Sequence, residues 1–574
     1  MRVSWFVVVA LLALAVLLMA RPIREESATM DEPLFLATGY SYCHGYGFGF
    51  DPEQPPLAKM ISAEPLWFMK VSLPLEAQLL LQRRIGVPMT QTWSGKIGAV
   101  TSLFPEGRDN WYYWPYWDGD RLGNVFLYGG FNDADKLLSA GRWMQVLLML
   151  VTGLVIVSWL SKLSGPEAAL FGLALWVFNP LALAYGHLVL TDMGVALMIL
   201  MAVCTLGWFL KNPTPRLAIV CGLAFGGALL MKFTALVLVP IFVVLAVVHW
   251  FVRRPAPGCL KKMLLIPFSA WLLILLVYTP FWAPAPLTST SEAFRIGVPA
   301  WFRVLRPILV PPDFFKGLAM QMGHALSGHM AYFHGQWSST GWWYYFPVAL
   351  AIKTPLPLVV LALVGFILWV SRCRSATFEQ SMPWIAASVF FLLAMTSTID
   401  IGVRYLLPMI PLLTVGIASQ IALLRRWVRI ASWLCCAWLV VVTWCAYPHF
   451  IEYFNECVGG PTNGYKWLVD SNYDWGQDIK RLKQYVNEHG DQAIYLHYFG
   501  PPSALDYYQI PCQLVASEDA HAITNGTLVV SVMAIMRPDW AWLRVEKPVD
   551  RIGYTLFVYQ FGDGKPQSDA QAQP

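Results

Sequence analysis

The chain has 574 residues, 57% of them apolar and only 13% charged, with a mean hydropathy of +0.51. Charged residues at about half their usual share exclude a single soluble core and point to an integral membrane protein. The net charge of +5 is weak evidence for a nucleic-acid partner, and none is expected, because basic loops between membrane spans account for it.

Trp5 to Ala20 form an apolar run that ends at Arg21. The run is long and Met19-Ala20 is a poor cleavage site, so it reads as a retained anchor and not a signal peptide. A polar segment to about Lys136 follows and carries 14 of the 35 acids. Asp31 and Glu32 stand just beyond the first span, where an acidic pair beside lipid is costly and calls for a reason. One reading is catalysis, with a loop running through Gly39 and Tyr40 to Asp51-Pro-Glu-Gln-Pro-Pro56 aiming Asp31 at a hydroxyl whose proton it removes. The other is that both acids cap a following helix. Residues 57–84 mix apolar side chains with charges and read as one or two interfacial helices. The aromatic run from Trp111 through Trp114 to Trp117 either stacks on a sugar or sits in the headgroup belt.

Ten more spans are expected at about 142–160, 167–185, 193–210, 217–230, 233–250, 263–283, 343–370, 384–398, 403–423 and 429–446, making about eleven. Basic residues fall in alternate short loops: Lys162; Lys211 and Arg216; Arg253 to Lys262; Arg372 and Arg374; Arg425 to Arg429. This parity places the N terminus in the cytoplasm. It places outside a large first loop (21–140), the 186–192 turn, Lys232, a second long loop (284–341), Asp400 to Arg404, and everything after the last span. The 1–449 membrane module is followed by a small α/β domain at 450–562, with a helix over 478–488 and strands near 493–498, 527–533 and 554–561. The polar tail, 563–574, reads as disordered.

On the outer side, Tyr185-Gly-His-Leu-Val-Leu-Thr-Asp192 brings His187 and Asp192 to the level of Asp31. Asp192 either caps the next helix or holds the site through a pair with a lysine or arginine. Outer cations are few: Lys232, Lys353 and Arg404 are candidates to neutralise a phosphate leaving group. Lys353 lies in an apolar run, where it either snorkels or meets an anion. Arg404 also has Asp400 as a nearby structural partner in sequence. His324, His329 and His334 lie in the second long loop and read as surface or acceptor contacts. Metal ligation by Asp31, His187 and Asp192 is chemically reasonable, yet no spacing carries a metal signature. The metal therefore stays unknown, with no cofactor required and a divalent ion an open alternative. The cysteines show no metal spacing, and one disulfide among Cys43, Cys457 and Cys512 is allowed but not forced.

These landmarks resemble the GT-C superfamily of membrane glycosyltransferases, in particular the bacterial branch related to dolichyl-phosphate-mannose protein mannosyltransferases and aminoarabinose lipid A transferases. Asp31-Glu32 after span one is similar to that family's hallmark. Gln54-Pro-Pro-Leu57 resembles its Pro-Pro segment, and Met231-Lys-Phe-Thr234 its Lys-Tyr/Phe-Ser/Thr motif. Asn179-Pro180 with His187 to Asp192 resembles its second outer loop. Later blocks, Gly341 to Pro347 with Ile352 to Pro355, Gly402 to Pro408, and Asn472 to Asp478, look closer to an uncharacterised bacterial subfamily. Cys43-His44 and the 111–117 aromatic run have no counterpart in the pattern.

The resemblance implies a GT-C-type bundle in the bacterial inner membrane, a polyprenyl-phosphate sugar donor and a lipid or protein acceptor. It implies Asp31 as general base, with Glu32 and Asp192 in the catalytic set. Lys232, Lys353 and Arg404 would hold the donor phosphate, and Tyr40, His187, Trp111 and Trp114 are the candidate substrate or acceptor contacts. The expected reaction is single displacement with inversion. A lipid or sugar transporter (or flippase) and a non-enzymatic membrane scaffold are the alternatives, separated from an enzyme by whether the purified protein consumes a labelled donor.

Overall fold

A computed structural model describes residues 3–86, 114–253, 258–278, 311–372, 375–421, 424–489, 494–501 and 503–562. Among these, seven helices are long and apolar enough to cross a membrane: Trp5–Glu25, Ala134–Leu163, Asp192–Lys211, Phe233–Val252, Cys259–Tyr278, Val403–Ile421 and Arg426–Ala446. Two bent pairs, Pro166–Val177 with Pro180–Gly186 (61°) and Tyr345–Lys353 with Leu356–Ser371 (119°), raise the count to as many as nine. The bends follow from the sequence. Proline cannot donate to the preceding turn, so each helix stops before Asn179-Pro180 or Thr354-Pro355 and restarts beyond it. The Asn179 side chain caps the restart by accepting from Leu181 N at 3.0 Å. Two shorter apolar helices, Pro215–Met231 and Phe378–Ala394, lie where the remaining two spans were expected. The chain is thus a polytopic helical membrane bundle.

Burial divides the helices into two kinds. Asp192–Lys211 and Val403–Ile421 are enclosed almost throughout, while Trp5–Glu25, Cys259–Tyr278 and Arg426–Ala446 expose most of their apolar surface. That pattern puts the first two at the bundle centre and turns the others toward lipid. Pro215–Met231 packs closely on Leu265–Tyr278 because Gly222 has no side chain: a Cβ there would sit 2.3 Å from Ile266 O.

After the first span the chain does not continue as a loop. Glu32–Cys43 is a helix, buried along nearly its whole length. Its glycine and aromatic residues are poor helix formers, and packing against Pro56–Ala63 and Trp114–Tyr128 overrides that preference. Of the expected interfacial segment, Pro56–Ala63 is largely buried, whereas Trp67, Phe68, Leu75 and Leu79 are exposed. A second short element is the hairpin β1 (Ala331–Phe333) and β2 (Gln336–Ser338), paired through Tyr332 and Trp337.

The C-terminal part contains a five-stranded sheet in the order β4-β3-β5-β7-β6. Its strands are β3 (Ile494–His497), β4 (Gln513–Leu514), β5 (Gly526–Ser531), β6 (Asp550–Ile552) and β7 (Leu556–Phe561). β3 runs parallel to β4 and β5, and β7 is antiparallel to β5 and β6, with Val529 opposite Val558. Leu528, Val529 and Val530 are all buried, as a central strand covered on both faces requires. Helix Ile479–His489 turns Ile479, Leu482 and Val486 inward at i, i+3, i+7 spacing. Cys43, Cys457 and Cys512 are all free thiols.

Candidate active site

The centre of the site is Asp31, and a network of hydrogen bonds explains its position. Ser27 N donates to Gln477 O and Met30 N to Trp475 O, each at 3.0 Å. Ile479 N in turn donates to the Ser27 hydroxyl. The segment leaving the first span is thus laced to residues 475–479. Glu32 then anchors the turn from inside. Its carboxylate takes Arg142 Nε at 2.9 Å and Nη2 at 2.6 Å, and it accepts from Thr29 N and Val189 N, both at 2.9 Å. Arg142 spends its other protons on the carbonyls of Ile23, Glu26 and Ser27. Burial acts to raise the Glu32 pKa, but the charge and hydrogen bonds of Arg142 more than offset it and hold the carboxyl below the ordinary range.

With Glu32 turned inward, Asp31 faces the other way. It occupies the N-cap position of Glu32–Cys43 but makes no side-chain capping bond. Its side chain is 30% accessible, and Oδ2 stands 3.4 Å from Arg404 Nη2. Burial among protein atoms pushes its pKa up, Arg404 pulls it down, and Asp192 adds to the rise.

From Arg404 the charges alternate. Arg404 Nη1 is 3.4 Å from Asp192 Oδ2, and Lys232 Nζ is 2.7 Å from Asp192 Oδ1. The helix starts position all three: Asp192 opens Asp192–Lys211, Arg404 lies at the start of the 403–421 span, and Lys232 joins Pro215–Met231 to the next helix. Aromatic rings fix the cations. The Arg404 guanidinium carbon lies 4.4 Å from the Trp475 ring centroid and 5.2 Å from that of Tyr405; Lys232 Nζ is 4.5 Å from the Tyr405 centroid. Among the described residues, buried Arg404 Nε has no hydrogen-bond partner. A buried guanidinium with an unused donor, sharing the Asp192 carboxylate with a second cation, is equipped to receive an anion.

More acids surround this chain of charges. Gly123 lets the Trp114–Tyr128 helix abut the Asp31 helix, since a Cβ there would lie 2.6 Å from Leu34 N. This contact places Asp120 near Asp31, and burial followed by the charges of Asp31 and Asp51 pushes its carboxyl up to about 7. Asp470 is pushed up to about 6 by burial, with Arg404 opposing and Asp31 reinforcing. Beneath them, buried Lys59 ties the 51–54 turn together through Asp51 Oδ2 (3.0 Å), Asp51 O (2.8 Å) and Gln54 O (2.6 Å). Glu53 Oε1 faces His324 Nδ1 at 2.7 Å, and His324 Nε2 faces His329 Nδ1 at 3.1 Å.

The structure therefore brings together Asp31, Asp192, Lys232 and Arg404, and Asp192 adopts the pairing arrangement expected as one of its two readings. Arg404 does not pair with Asp400, whose carboxylate accepts from Trp342 N. Four other expected site residues are engaged elsewhere. Glu32 is enclosed with Arg142, away from the charges lined up beyond Asp31. Lys353 is buried and gives its protons to Ile451 O (2.7 Å) and Asn472 O (2.8 Å), not to an anion site; it holds the 451–472 segment against the bundle. His187 is fully buried, its ring nitrogens facing Leu183 O (2.7 Å) and Glu26 Oε2 (2.9 Å), so it has no surface to offer a substrate. Tyr40 is buried; its ring stacks on His44 with centroids 4.0 Å apart and lies tilted against Phe126 at 5.2 Å. Trp111 lies outside the described residues; Trp114 opens a helix, and its side chain is likewise outside them. Trp475, Tyr405, Asp120, Asp470 and Glu53 belong to the site and were not singled out from sequence. The only signal for Trp475 was its place in the Asn472–Asp478 block. Among the described residues no group of three or more His, Cys, Asp or Glu is arranged to hold a metal ion.

The family model for dolichyl-phosphate-mannose-protein mannosyltransferase matches residues 131–283. No curated protein matches the chain. Similar solved structures include ArnT from Cupriavidus metallidurans bound to undecaprenyl phosphate, at 13% identity over 99% of each chain with a TM-score of 0.46. The apo state of the same protein is similar at 13% identity and a TM-score of 0.44, covering 96% of this chain and 97% of that one. The Archaeoglobus fulgidus oligosaccharyltransferase in complex with Zn and sulfate is similar at 10% identity and a TM-score of 0.44, covering 93% of this chain and 70% of that one.

Proposed function

We propose that the protein transfers a sugar, with inversion, from a polyprenyl-phosphate donor to a hydroxyl or amine of a lipid or protein acceptor at the outer face of the bacterial inner membrane. One observation carries this reading: a partly accessible carboxylate, Asp31, stands 3.4 Å from a buried arginine with an unused donor, Arg404. In the proposed step an Asp31 oxygen takes the acceptor's proton as its oxygen or nitrogen bonds to the anomeric carbon. The bond from that carbon to the phosphate oxygen breaks, and the phosphate leaves with the electron pair. Arg404 and Lys232 stabilise the charge that develops on it. A phosphate leaving group needs little protonation, so one carboxylate suffices where a glycosidase uses two. Asp192 keeps the two cations in register, and Glu32 shapes the turn that presents Asp31. The residues matched by the family model include Asp192 and Lys232.

The same reading takes the fold as a GT-C-type bundle of eleven spans, counting each bent pair and each shorter apolar helix once. The alternate basic loops support a cytoplasmic N terminus, with the 450–562 domain on the opposite side.

The deciding experiment is turnover of a labelled polyprenyl-phosphate sugar by the purified protein. Asp31→Asn is expected to cut transfer on the order of 10²–10⁴-fold while thermal unfolding in detergent is unchanged. Undiminished transfer by this variant would remove Asp31 as the base.

A further inference from the structure

A second cleft lies away from Asp31, where the β1–β2 hairpin meets the C-terminal sheet. It encloses about 260 Å³, and its lining includes Tyr332, Tyr465, Lys466, Arg544, Arg551 and Phe557. The hairpin forms one wall: Tyr332 OH donates to Lys466 O at 3.2 Å and Trp337 Nε1 to Met536 O at 2.8 Å. Tyr465 and Phe557 meet edge to face at 5.3 Å. The Arg551 guanidinium sits in that corner, 4.2 Å from the Phe557 centroid and 5.7 Å from that of Tyr465. Arg544 is held rigidly by the carbonyls of Ile535, Met536 and Arg537. Lys466 projects beside the Tyr465 ring.

The lining of this cleft gathers positive charge. Arg551 is half-buried, while Lys466 and Arg544 are exposed; among the described residues none of the three forms an ion pair, and Arg551 Nη1 donates to Thr462 O at 3.1 Å. Glu546 supplies the one carboxylate of the lining against these three cations. Aromatic faces take the C–H face of a pyranose ring, and planar guanidinium groups take a carboxylate or phosphate through paired N–H bonds. The volume suits one sugar ring and not a chain.

We infer that this cleft binds a negatively charged pyranose, one bearing a carboxylate or a phosphate, and that it holds an outlying sugar of the acceptor. The second half of the inference rests on the proposed transferase reading; the first does not. Chain continuity supports the connection. Tyr332 in the cleft wall is three residues from His329, which hydrogen-bonds His324 and feels the charge of Arg404. Extended chain spans on the order of 10 Å over that distance, so the cleft lies about that far along the chain from the His324–His329 pair.

The test uses full-length protein in detergent, titrated with D-galacturonate, D-glucose 6-phosphate and neutral D-galactose, with ligand contact read by saturation-transfer NMR. The two acidic sugars are expected to bind, and galactose to bind at least about tenfold more weakly. Arg551→Ala and the surface variant Lys466→Ala are each expected to weaken the acidic sugars, and Arg551→Lys to restore only part, because it returns the charge without the planar face. Response to only one acidic sugar identifies the charged group and still supports the cleft. Equal binding of galactose, unchanged affinity in both Ala variants, or no contact from either acidic sugar would overturn it. Asp31→Asn is expected to bind the acidic sugars normally. If Asp31→Asn also turns over donor normally while the cleft variants lose binding, the transferase reading falls and the cleft stands.

Discussion

Trp475 lies under Arg404, its ring centroid 4.4 Å from the guanidinium carbon, although 71 positions separate them in the chain. The indole comes from the segment that enters the C-terminal part and is itself almost wholly buried. The arginine that faces the Asp31 carboxylate is thus held by a residue from outside the bundle.

That contact makes Trp475 a test of donor binding. Trp475→Ala is expected to lower kcat/KM for the lipid donor by roughly 5–30-fold, the equivalent of about 1–2 kcal/mol of partly desolvated cation–π contact. Trp475→Phe should keep most of it. Steady-state kinetics with the labelled donor checks both; an alanine variant with wild-type kinetics would show that the ring does not hold Arg404.

Adjacent acids should behave oppositely. Glu32→Gln leaves Arg142 buried without its counter-charge, a change that costs about 3–5 kcal/mol. Its unfolding midpoint in detergent is expected to fall sharply, whereas Asp31→Asn unfolds like the wild type and loses turnover. Reversed phenotypes would mean that the two roles are interchanged.

The acidic limb of the pH–rate profile should report Asp31. A general base acts in its ionised form, so activity rises with pH through its pKa. Burial raises that pKa and Arg404 lowers it. Arg404→Gln is therefore expected to move the limb to higher pH in the residual activity. A limb displaced to lower pH would contradict the pairing.

Glu452 carries a separate pH dependence. It is buried, accepts from Gln477 at 2.9 Å, and has a second oxygen without a partner among the described residues. Burial first, then the charges of Asp478 and Glu26, raise its pKa to about 8. A folded-state pKa above the unfolded one favours the fold at low pH, and this contribution is lost as pH rises through about 8. Glu452→Gln copies the neutral acid, so its unfolding midpoint should exceed that of the wild type above pH 8 and converge with it near pH 5. Thermal scans across that range check the sign.

Asp31, Lys232 and Arg404 stood out in the sequence because ionised groups beside apolar runs are expensive and demand partners. Composition likewise made the helical bundle legible, and alternation of apolar residues exposed the C-terminal strands. The same argument could not separate Lys232 from Lys353. Both are lone lysines in greasy segments, yet one meets a carboxylate and the other meets carbonyls 98 and 119 positions away. Which partner a buried cation finds is decided by the fold, not by its neighbours in the chain. The Glu32–Cys43 helix was hidden for a related reason: its residues do not favour a helix alone and adopt one only when packed from two sides. Asp120 gave no local sign at all, since it is near Asp31 only because Gly123 allows two helices to touch.

The Trp475–Arg404 contact also has a consequence for timing. Ribosomes deliver the chain from its N terminus, so every span is made before the indole emerges. A polypeptide arrested short of that point holds Asp31, Asp192, Lys232 and Arg404 in the lipid but leaves the guanidinium with no floor. The packing around Arg404 is thus completed only near the end of translation.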